Sequence, residues 1–374
     1  MKRILIYRLG SLGDTVLALP CFHFLRRQFP AAEITVLTNQ PVAGSAPPLQ
    51  AILENTGTVD SFIAYPVGLG GAGAALKLRR ELKARRFDLA ISLAAARGLA
   101  RSVRDWLFFK SCGIPRVLGV PFRRRDLVCQ REPGREQFEW EAQRLALRLA
   151  PLGAPGPADG AAWDLRLTAA ERAEARRLLS DAGVTAPFLA LATGTKVSAK
   201  DWGEERWQTV LQRLAARHPT LPLVQLGSRE DSARNERLAA RWRGPRANLA
   251  GGCGPRVSAA VLASARLFVG PDSGPMHLAA CVGVPCVVVF SARSLPGQWN
   301  PRGTGHAILY RHVPCFGCAL DECVAQQLRC LTSITVAEVL EAIEERLPPV
   351  TRAVPSRELA PLASASFAGQ SASR

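Results

Sequence analysis

The sequence predicts an α/β protein made of two doubly wound parallel sheets, one in residues 1–155 and one in residues 156–349. Three observations carry this. Short apolar runs alternate with helix-patterned segments in both halves of the chain, the order that yields parallel sheets. Several of those runs end in a glycine-bearing turn that opens a helix. Between the halves, Pro151-Leu152-Gly153-Ala154-Pro155-Gly156-Pro157-Ala158-Asp159-Gly160 is the clearest linker in the chain. A length of 374 residues suits two domains of ordinary size. From about Val350 the tail is rich in Pro, Ala and Ser, the composition of a disordered segment.

Residues 4–7 read as the first strand, followed by the turn Arg8-Leu9-Gly10-Ser11-Leu12-Gly13-Asp14. A helix then runs to about residue 29 through Val16, Leu17, Leu19, Phe22 and Leu25, and 33–38 is the next strand. This βαβ opening sets Gly13 and Asp14 at the carboxyl edge of the sheet, where doubly wound folds bind ligands. An Asp at a helix start also serves simply as a cap or dipole partner. Beyond the strand at 62–65, Gly68-Leu69-Gly70-Gly71-Ala72-Gly73 matches the dinucleotide-binding pattern in letters. It does not follow the first strand, however, and Asp88 begins the strand 87–93 instead of ending one, which a ribose-binding acid should do. The stretch is expected to be a flexible loop; a nicotinamide-dependent dehydrogenase is the reading it would otherwise favour.

Arg97 to Arg135 is strongly basic, with Arg101, Arg104, Lys110, Arg116 and the run Arg123-Arg124-Arg125. Trp106, Phe108 and Phe109 interleave, a mixture that suits nucleic acid, but the neighbouring apolar stretch assigns 106–109 to the core. A helix at 136–149 precedes the linker. In the second half a helix at 169–182 leads to the strand 188–192 and then to Thr193-Gly194-Thr195-Lys196-Val197-Ser198-Ala199-Lys200-Asp201-Trp202. Two lysines and several hydroxyls at a strand's carboxyl end are suited to phosphate oxygens. After the helix 204–217 and the strand 221–226 come Glu230 and Asp231, placed either to hold ribose hydroxyls or to cap the next helix. A helix at 258–264 and a strand at 265–269 then reach Gly270-Pro271-Asp272-Ser273-Gly274-Pro275-Met276-His277. Here Ser273 can cap a helix, Pro275 fits its first turn, and Gly274 lets a ligand approach the backbone. The free amides of such a helix start attract anions.

The chain carries a formal charge of +17. Residues 77–135 alone hold 16 basic and 5 acidic residues. An excess of that kind points to an anionic partner: nucleic acid, a membrane surface or a phosphorylated substrate. There is no apolar run long enough to span a bilayer, and the N-terminus reads as a strand, not a signal peptide, so a cytoplasmic protein with reduced cysteines is expected. Cys21, Cys112, Cys129, Cys253, Cys281 and Cys286 sit in apolar segments and are expected in or near the core.

Three stretches, in order, resemble the motifs of glycosyltransferase family 9, the heptosyltransferases that build the inner core of lipopolysaccharide. They are Arg8 to Asp14 with Leu19-Pro20, Lys200-Asp201-Trp202-Gly203-Glu204-Glu205-Arg206-Trp207, and Asp272-Ser273-Gly274-Pro275-Met276-His277-Leu278-Ala279-Ala280. The resemblance implies a GT-B fold, two Rossmann-like domains facing across a cleft, with the acceptor in the first and a nucleotide-sugar in the second. It implies inverting transfer of a heptose from an ADP-activated donor, a substrate and not a cofactor, without a metal. Asp14 is then the base, and Gly13, Arg123 and Arg124 face the acceptor. Lys200, Thr195, Ser273, Gly274, Pro275 and the helix start before His277 hold the leaving diphosphate. Asp272 braces that turn or meets the donor sugar, and Glu230 or Asp231 corresponds to the ribose-binding acid. The basic stretch gains as its partner an anionic, phosphorylated lipopolysaccharide-type acceptor at the inner face of the cytoplasmic membrane. That makes the expected protein a peripheral, monomeric enzyme that binds no nucleic acid. The cluster Cys315-Phe316-Gly317-Cys318, Cys323 and Cys330 also recurs in the family. Its spacing resembles a metal site, but the second pair is not tight, so a reduced or disulfide-linked cap is expected, with structural zinc as the alternative. The competing classes are a same-fold transferase using another nucleotide-sugar, a nucleotide-dependent dehydrogenase, and a basic nucleic-acid-binding protein.

Overall fold

The structure, a computed structural model, describes residues 1–40, 47–66, 71–153, 160–184 and 187–347. The first sheet takes β1 (Arg3–Tyr7), β2 (Glu33–Asn39), β3 (Ser61–Tyr65), β4 (Leu89–Ser92) and β5 (Arg116–Leu118). All run parallel, in the order β3-β2-β1-β4-β5. Its helices are α1 (Leu12–Gln28), α2 (Gln50–Leu53), α3 (Ala72–Arg85), α4 (Leu99–Ser111), α5 (Arg124–Leu127) and α6 (Glu141–Leu147). The second sheet takes β6 (Phe188–Leu191), β7 (Leu223–Gln225), β8 (Arg246–Asn248), β9 (Ala265–Pro271), β10 (Cys286–Phe290) and β11 (Ala307–Tyr310). It too is parallel, ordered β11-β10-β9-β6-β7-β8. With it go α7 (Ala169–Asp181), α8 (Glu204–Arg217), α9 (Ser232–Leu238), α10 (Pro255–Leu262), α11 (Gly274–Cys281), α12 (Arg329–Thr332) and α13 (Val336–Glu344). Strands β4, β6 and β10 are buried at every position, which is why they read as unbroken apolar runs: helices cover both faces.

The cores are not confined to one domain each. One face of each sheet has its own cluster, around Leu5, Leu82 and Phe109 in the first and around Trp207, Leu214 and Leu340 in the second. The other two faces share one contiguous cluster, in which Val16, Phe22 and Trp163 join Met276, Leu278 and Phe290. Helices α1 and α11 pack directly against each other at its centre. Among the described residues no helix is long and apolar enough to cross a membrane.

Three of the strands, β5, β8 and β11, were not expected. Each lies at or near a sheet edge, and β5 and β8 are only three residues long, Arg-Val-Leu and Arg-Ala-Asn. The helix expected at 136–149 starts only at Glu141, because the preceding residues are held extended: Phe138 N donates to Pro296 O (2.8 Å) and Glu141 N to Gln298 O (2.9 Å). Most of the expected linker (154–159), Gly68–Gly70 of the glycine pattern and the tail beyond 347 lie outside the described residues. Of the stretch 106–109, only Phe109 is fully buried, edge-on to Tyr7 at 5.4 Å. Trp106 is half-buried and Leu107 exposed, a correction to their assignment as core.

Candidate active site

The turn after β1 ends in a capping box. Ser11 donates to Asp14 Oδ2 from both its backbone N (2.7 Å) and its Oγ (2.8 Å), so the acid satisfies the N-cap amide and hydroxyl at the start of α1. Its other oxygen, Oδ1, stands 3.7 Å from the guanidinium of Arg8. Arg8 is wholly buried and donates to the carbonyls of Leu93 and Asp14. A fully desolvated cation therefore fixes the position of Asp14 from behind, while one carboxylate oxygen keeps lone pairs for another partner.

On the second sheet, Asp272 directly follows β9. That carboxylate is buried, and burial pushes its pKa up against the opposing field of Lys200. Lys200 Nζ lies 2.8 Å from Asp272 Oδ2 and donates to the Asp272 carbonyl at 2.9 Å. Asp272 thus ties this turn to the loop that carries Lys200. The lysine is presented by a loop whose following residues are anchored in the core. Trp202 is buried and donates from Nε1 to Ile334 O at 3.0 Å, Trp207 meets it edge-on at 4.7 Å, and Asp201 accepts both arms of Arg234. Asp201, Trp202 and Trp207 are the scaffold that carries the lysine.

Ser273 takes the N-cap position of α11 and Pro275 its first turn, but the Ser273 side chain makes no capping bond. Its Oγ and the Thr193 Oγ1 are buried without a hydrogen-bond partner among the described residues. Thr195 Oγ1 is turned onto its own loop, donating to Val197 O at 3.0 Å.

The two helix starts face each other. A Cβ on Gly13 would lie 2.7 Å from His277 Cδ2, and one on Gly274 would overlap the side chain of Leu12. Each domain leaves out a side chain to admit one from the other. His277 is buried, and desolvation first, then the charge of Lys200, lowers its pKa to about 4 against the raising effect of Asp14. Lys196, whose pKa burial pushes down, also lies in the field of Asp14. Asp14, Lys196, Lys200, Asp272 and His277 form one electrostatic group drawn from both domains.

Not every expected residue joins it. Glu230 is exposed on the helical turn after β7, and Asp231 closes a second capping box onto Ser228, through N at 2.8 Å and Oγ at 2.9 Å. Asp231 also fills the space over Gly194, where any Cβ would overlap its carboxylate. Arg123 and Arg124 are exposed at the start of α5. The dehydrogenase reading fails on Asp88, which accepts from the amides of Lys2 (2.5 Å) and Arg3 (3.0 Å) at the amino edge of the sheet, opposite the ligand-binding edge. All ten cysteines are free thiols; Cys253 is half-buried, whereas Cys21, Cys112, Cys129, Cys281 and Cys286 are fully buried, as their apolar surroundings predict. Missed from sequence was Arg8 as a member of the site; Lys196 belongs to the loop whose two lysines suit phosphate oxygens. Only a buried cation beside a ligand-edge acid, visible once the strand order is known, would have marked Arg8.

Two parallel-sheet domains with opposed helix starts, one bearing an acid and the other a lysine-braced turn, make up the GT-B architecture. Solved structures share the architecture. The glycosyltransferase family 9 protein of Veillonella parvula aligns at a TM-score of 0.68 and 19% identity, covering 92% of this chain and 96% of that one. E. coli ADP-heptose LPS heptosyltransferase II aligns at 0.63 and 19%, covering 92% and 98%. E. coli heptosyltransferase WaaC with ADP aligns at 0.60 and 18%, covering 92% and 99%. The profile of glycosyltransferase family 9 (heptosyltransferase) matches residues 75–328, and the chain belongs to that family. Lipopolysaccharide heptosyltransferase 1 of Pseudomonas aeruginosa is 34% identical over 155 residues, 40% of this chain and 41% of that protein. Lipopolysaccharide heptosyltransferase 3 of E. coli K12 is 26% identical over 305 residues, 75% of this chain and 80% of that protein. The match to the first of these relatives thus spans less than half of its length.

Proposed function

We propose that this glycosyltransferase moves a heptose from an ADP-activated donor to a lipopolysaccharide-core acceptor, with inversion at the anomeric carbon. The observation that carries the reading is the meeting of Asp14 from the first domain with Lys200, Asp272 and His277 from the second. Inversion in one displacement requires a base on the acceptor hydroxyl, opposite the leaving group. Asp14 takes that role through Oδ1, since Oδ2 is engaged by Ser11. The departing diphosphate gathers charge as the bond breaks and needs preorganised donors at that moment. Lys200, Lys196, the amides at the start of α11 and the hydroxyls of Thr193 and Ser273 supply them without requiring a metal. Buried hydroxyls without partners are satisfied when a polar ligand atom reaches them, which supports a donor seat at these two residues. His277, neutral at physiological pH, packs the joint between the domains. The ribose-binding role stays with the pair Glu230 and Asp231, which stand together beside Ser228 at the end of β7, Glu230 exposed and Asp231 bonded to Ser228 through one oxygen only. Arg123, Arg124 and the first domain then receive the anionic acceptor at the cytoplasmic face of the membrane.

Asp14→Asn tests the base directly. The variant should bind ADP as the parent does while transfer falls by about 10²–10⁴-fold, read by calorimetry and by product formation on a truncated lipopolysaccharide. Full transfer activity in the variant would remove the assignment. A thermal-shift comparison of ADP-, UDP-, GDP- and CDP-sugars tests the donor; stabilisation by UDP-sugars alone would replace ADP-heptose and leave the fold and family intact.

A further inference from the structure

We propose that the outward face of α4 is a docking surface for an anionic lipid bilayer. Leu99, Val103 and Leu107 are 51%, 41% and 54% exposed. Spaced four apart, they form a stripe spanning about 80° of the helix. Phe109 and Ser102, roughly 100° or more round the helix from the middle of the stripe, are both buried, so the helix is already anchored and the stripe is surplus to packing. Globular proteins seldom line up large apolar side chains on an exposed helix without a partner.

The surroundings extend the patch. Lys110 and Arg104 flank the stripe, with Lys110 Nζ 5.9 Å over the half-buried Trp106 ring. Leu76 is exposed on α3, which is tied to the end of α4 by Arg79 Nε donating to Ser111 O at 3.0 Å. Phe122 and Val128 are exposed on either side of Arg123-Arg124-Arg125 in the chain that leaves β5, the strand beside α4.

Charge decides the occupant. Residues 77–135 hold 16 basic and 5 acidic residues, and all five acids are already engaged. Asp88 binds the Lys2 and Arg3 amides, Asp105 binds Arg97 and Arg104, Glu81 binds Arg85, Asp126 lies beside Arg125 and Glu132 beside Arg135. A second copy of the chain would bring two such basic faces together. An anionic headgroup layer instead complements the cations, while the leucines and valine enter the boundary with the acyl chains and the long Lys and Arg stems reach back to the phosphates. The inference rests on the proposed function only for the membrane-borne nature of the acceptor, and it adds the surface that meets the membrane.

The test is flotation of the full-length protein with phosphatidylglycerol/phosphatidylcholine vesicles and with phosphatidylcholine alone. The parent should float with the anionic vesicles only. Leu99→Ser/Val103→Ser/Leu107→Ser should bind them at least about ten-fold more weakly, with an unchanged thermal midpoint and unchanged ADP binding. Arg104→Glu/Lys110→Glu should weaken binding further at low salt than at high salt. A parent that binds no vesicle, or a triple variant that binds as well as the parent, overturns the proposal. So does a concentration-dependent dimer that the triple variant abolishes, since the face would then be a contact between copies. Loss of vesicle binding in the variants, in a protein that transfers no sugar, would keep this surface and remove the proposed function.

Discussion

Replacing Gly13 by alanine sets a methyl carbon 2.7 Å from the His277 ring. The ring is walled in by α1 and α11 and has little room to give, so Gly13→Ala should cost about 1–3 kcal/mol, measured as a fall in the urea midpoint. Shortening the ring relieves the clash. Gly13→Ala in a His277→Ala background should therefore cost clearly less than it does alone, a coupling expected of residues in contact. His277 also gives the protein a pH signature. Its folded pKa of about 4 lies below the 6.5 of the exposed side chain, so the unfolded chain binds the proton more readily. The stabilising contribution is fully present above pH 6.5 and is lost as pH falls towards 4, about 3 kcal/mol in all. His277→Gln should lose less stability than the parent by about 2 kcal/mol between pH 7 and pH 4.5 in chemical denaturation. At this scale the sequence was readable wherever the cause was local: Asp14 three residues after Ser11 and Pro275 in a first turn are spacing effects. The emptiness over Gly13, Gly194 and Gly274 was not readable, because each is filled by a residue far away in the chain or on another element.

Among the elements, α10 shows how a helix is fixed by a single side chain. Arg256 in its first turn is buried and reaches Glu171 in α7 at 2.5 and 2.9 Å, Ile52 O in α2 at 3.0 Å and Leu165 O at 2.9 Å. Burial raises the pKa of Glu171, but hydrogen bonds from Arg256 and Thr168 and the charge of Arg256 outweigh it and lower the pKa to about 2. Arg256→Met would leave a desolvated carboxylate and several orphaned carbonyls, so a loss of about 3–5 kcal/mol is expected, measured as the equilibrium unfolding free energy. Legibility followed length and burial here too. Helix α8 was read to the residue, because Trp207, Val210, Leu211 and Leu214 recur at helical spacing between charges. Strand β8, Arg-Ala-Asn, has no apolar period at all; it exists because Gln225 and its neighbours in β7 offer a free edge. The start of α6 was misjudged because what stops the helix, the 296–298 segment, belongs to the other half of the chain.

Seen whole, the molecule joins its two sheets through apolar contact: one cluster runs from β1 and α1 through Trp163 to α11 and β10. The alternation of strands and helices predicted two sheets and the opposed motifs predicted that they meet. It did not predict that they share a core, since nothing in a helix's apolar face says which partner covers it. That sharing bears on the order in which the protein is made. Helix α1 leaves the ribosome early, and about 250 more residues, roughly 12 to 50 s of synthesis, must follow before α11 arrives to cover it. Throughout that interval the nascent first half displays Leu12, Val16 and their neighbours to water, a standing substrate for holdase chaperones. A chain cut at residue 153 and expressed alone should accumulate in the insoluble fraction or bound to chaperone, and co-expression with residues 160–347 should return it to the soluble fraction. The contact between α1 and α11 thus waits on the synthesis of most of the chain that separates them.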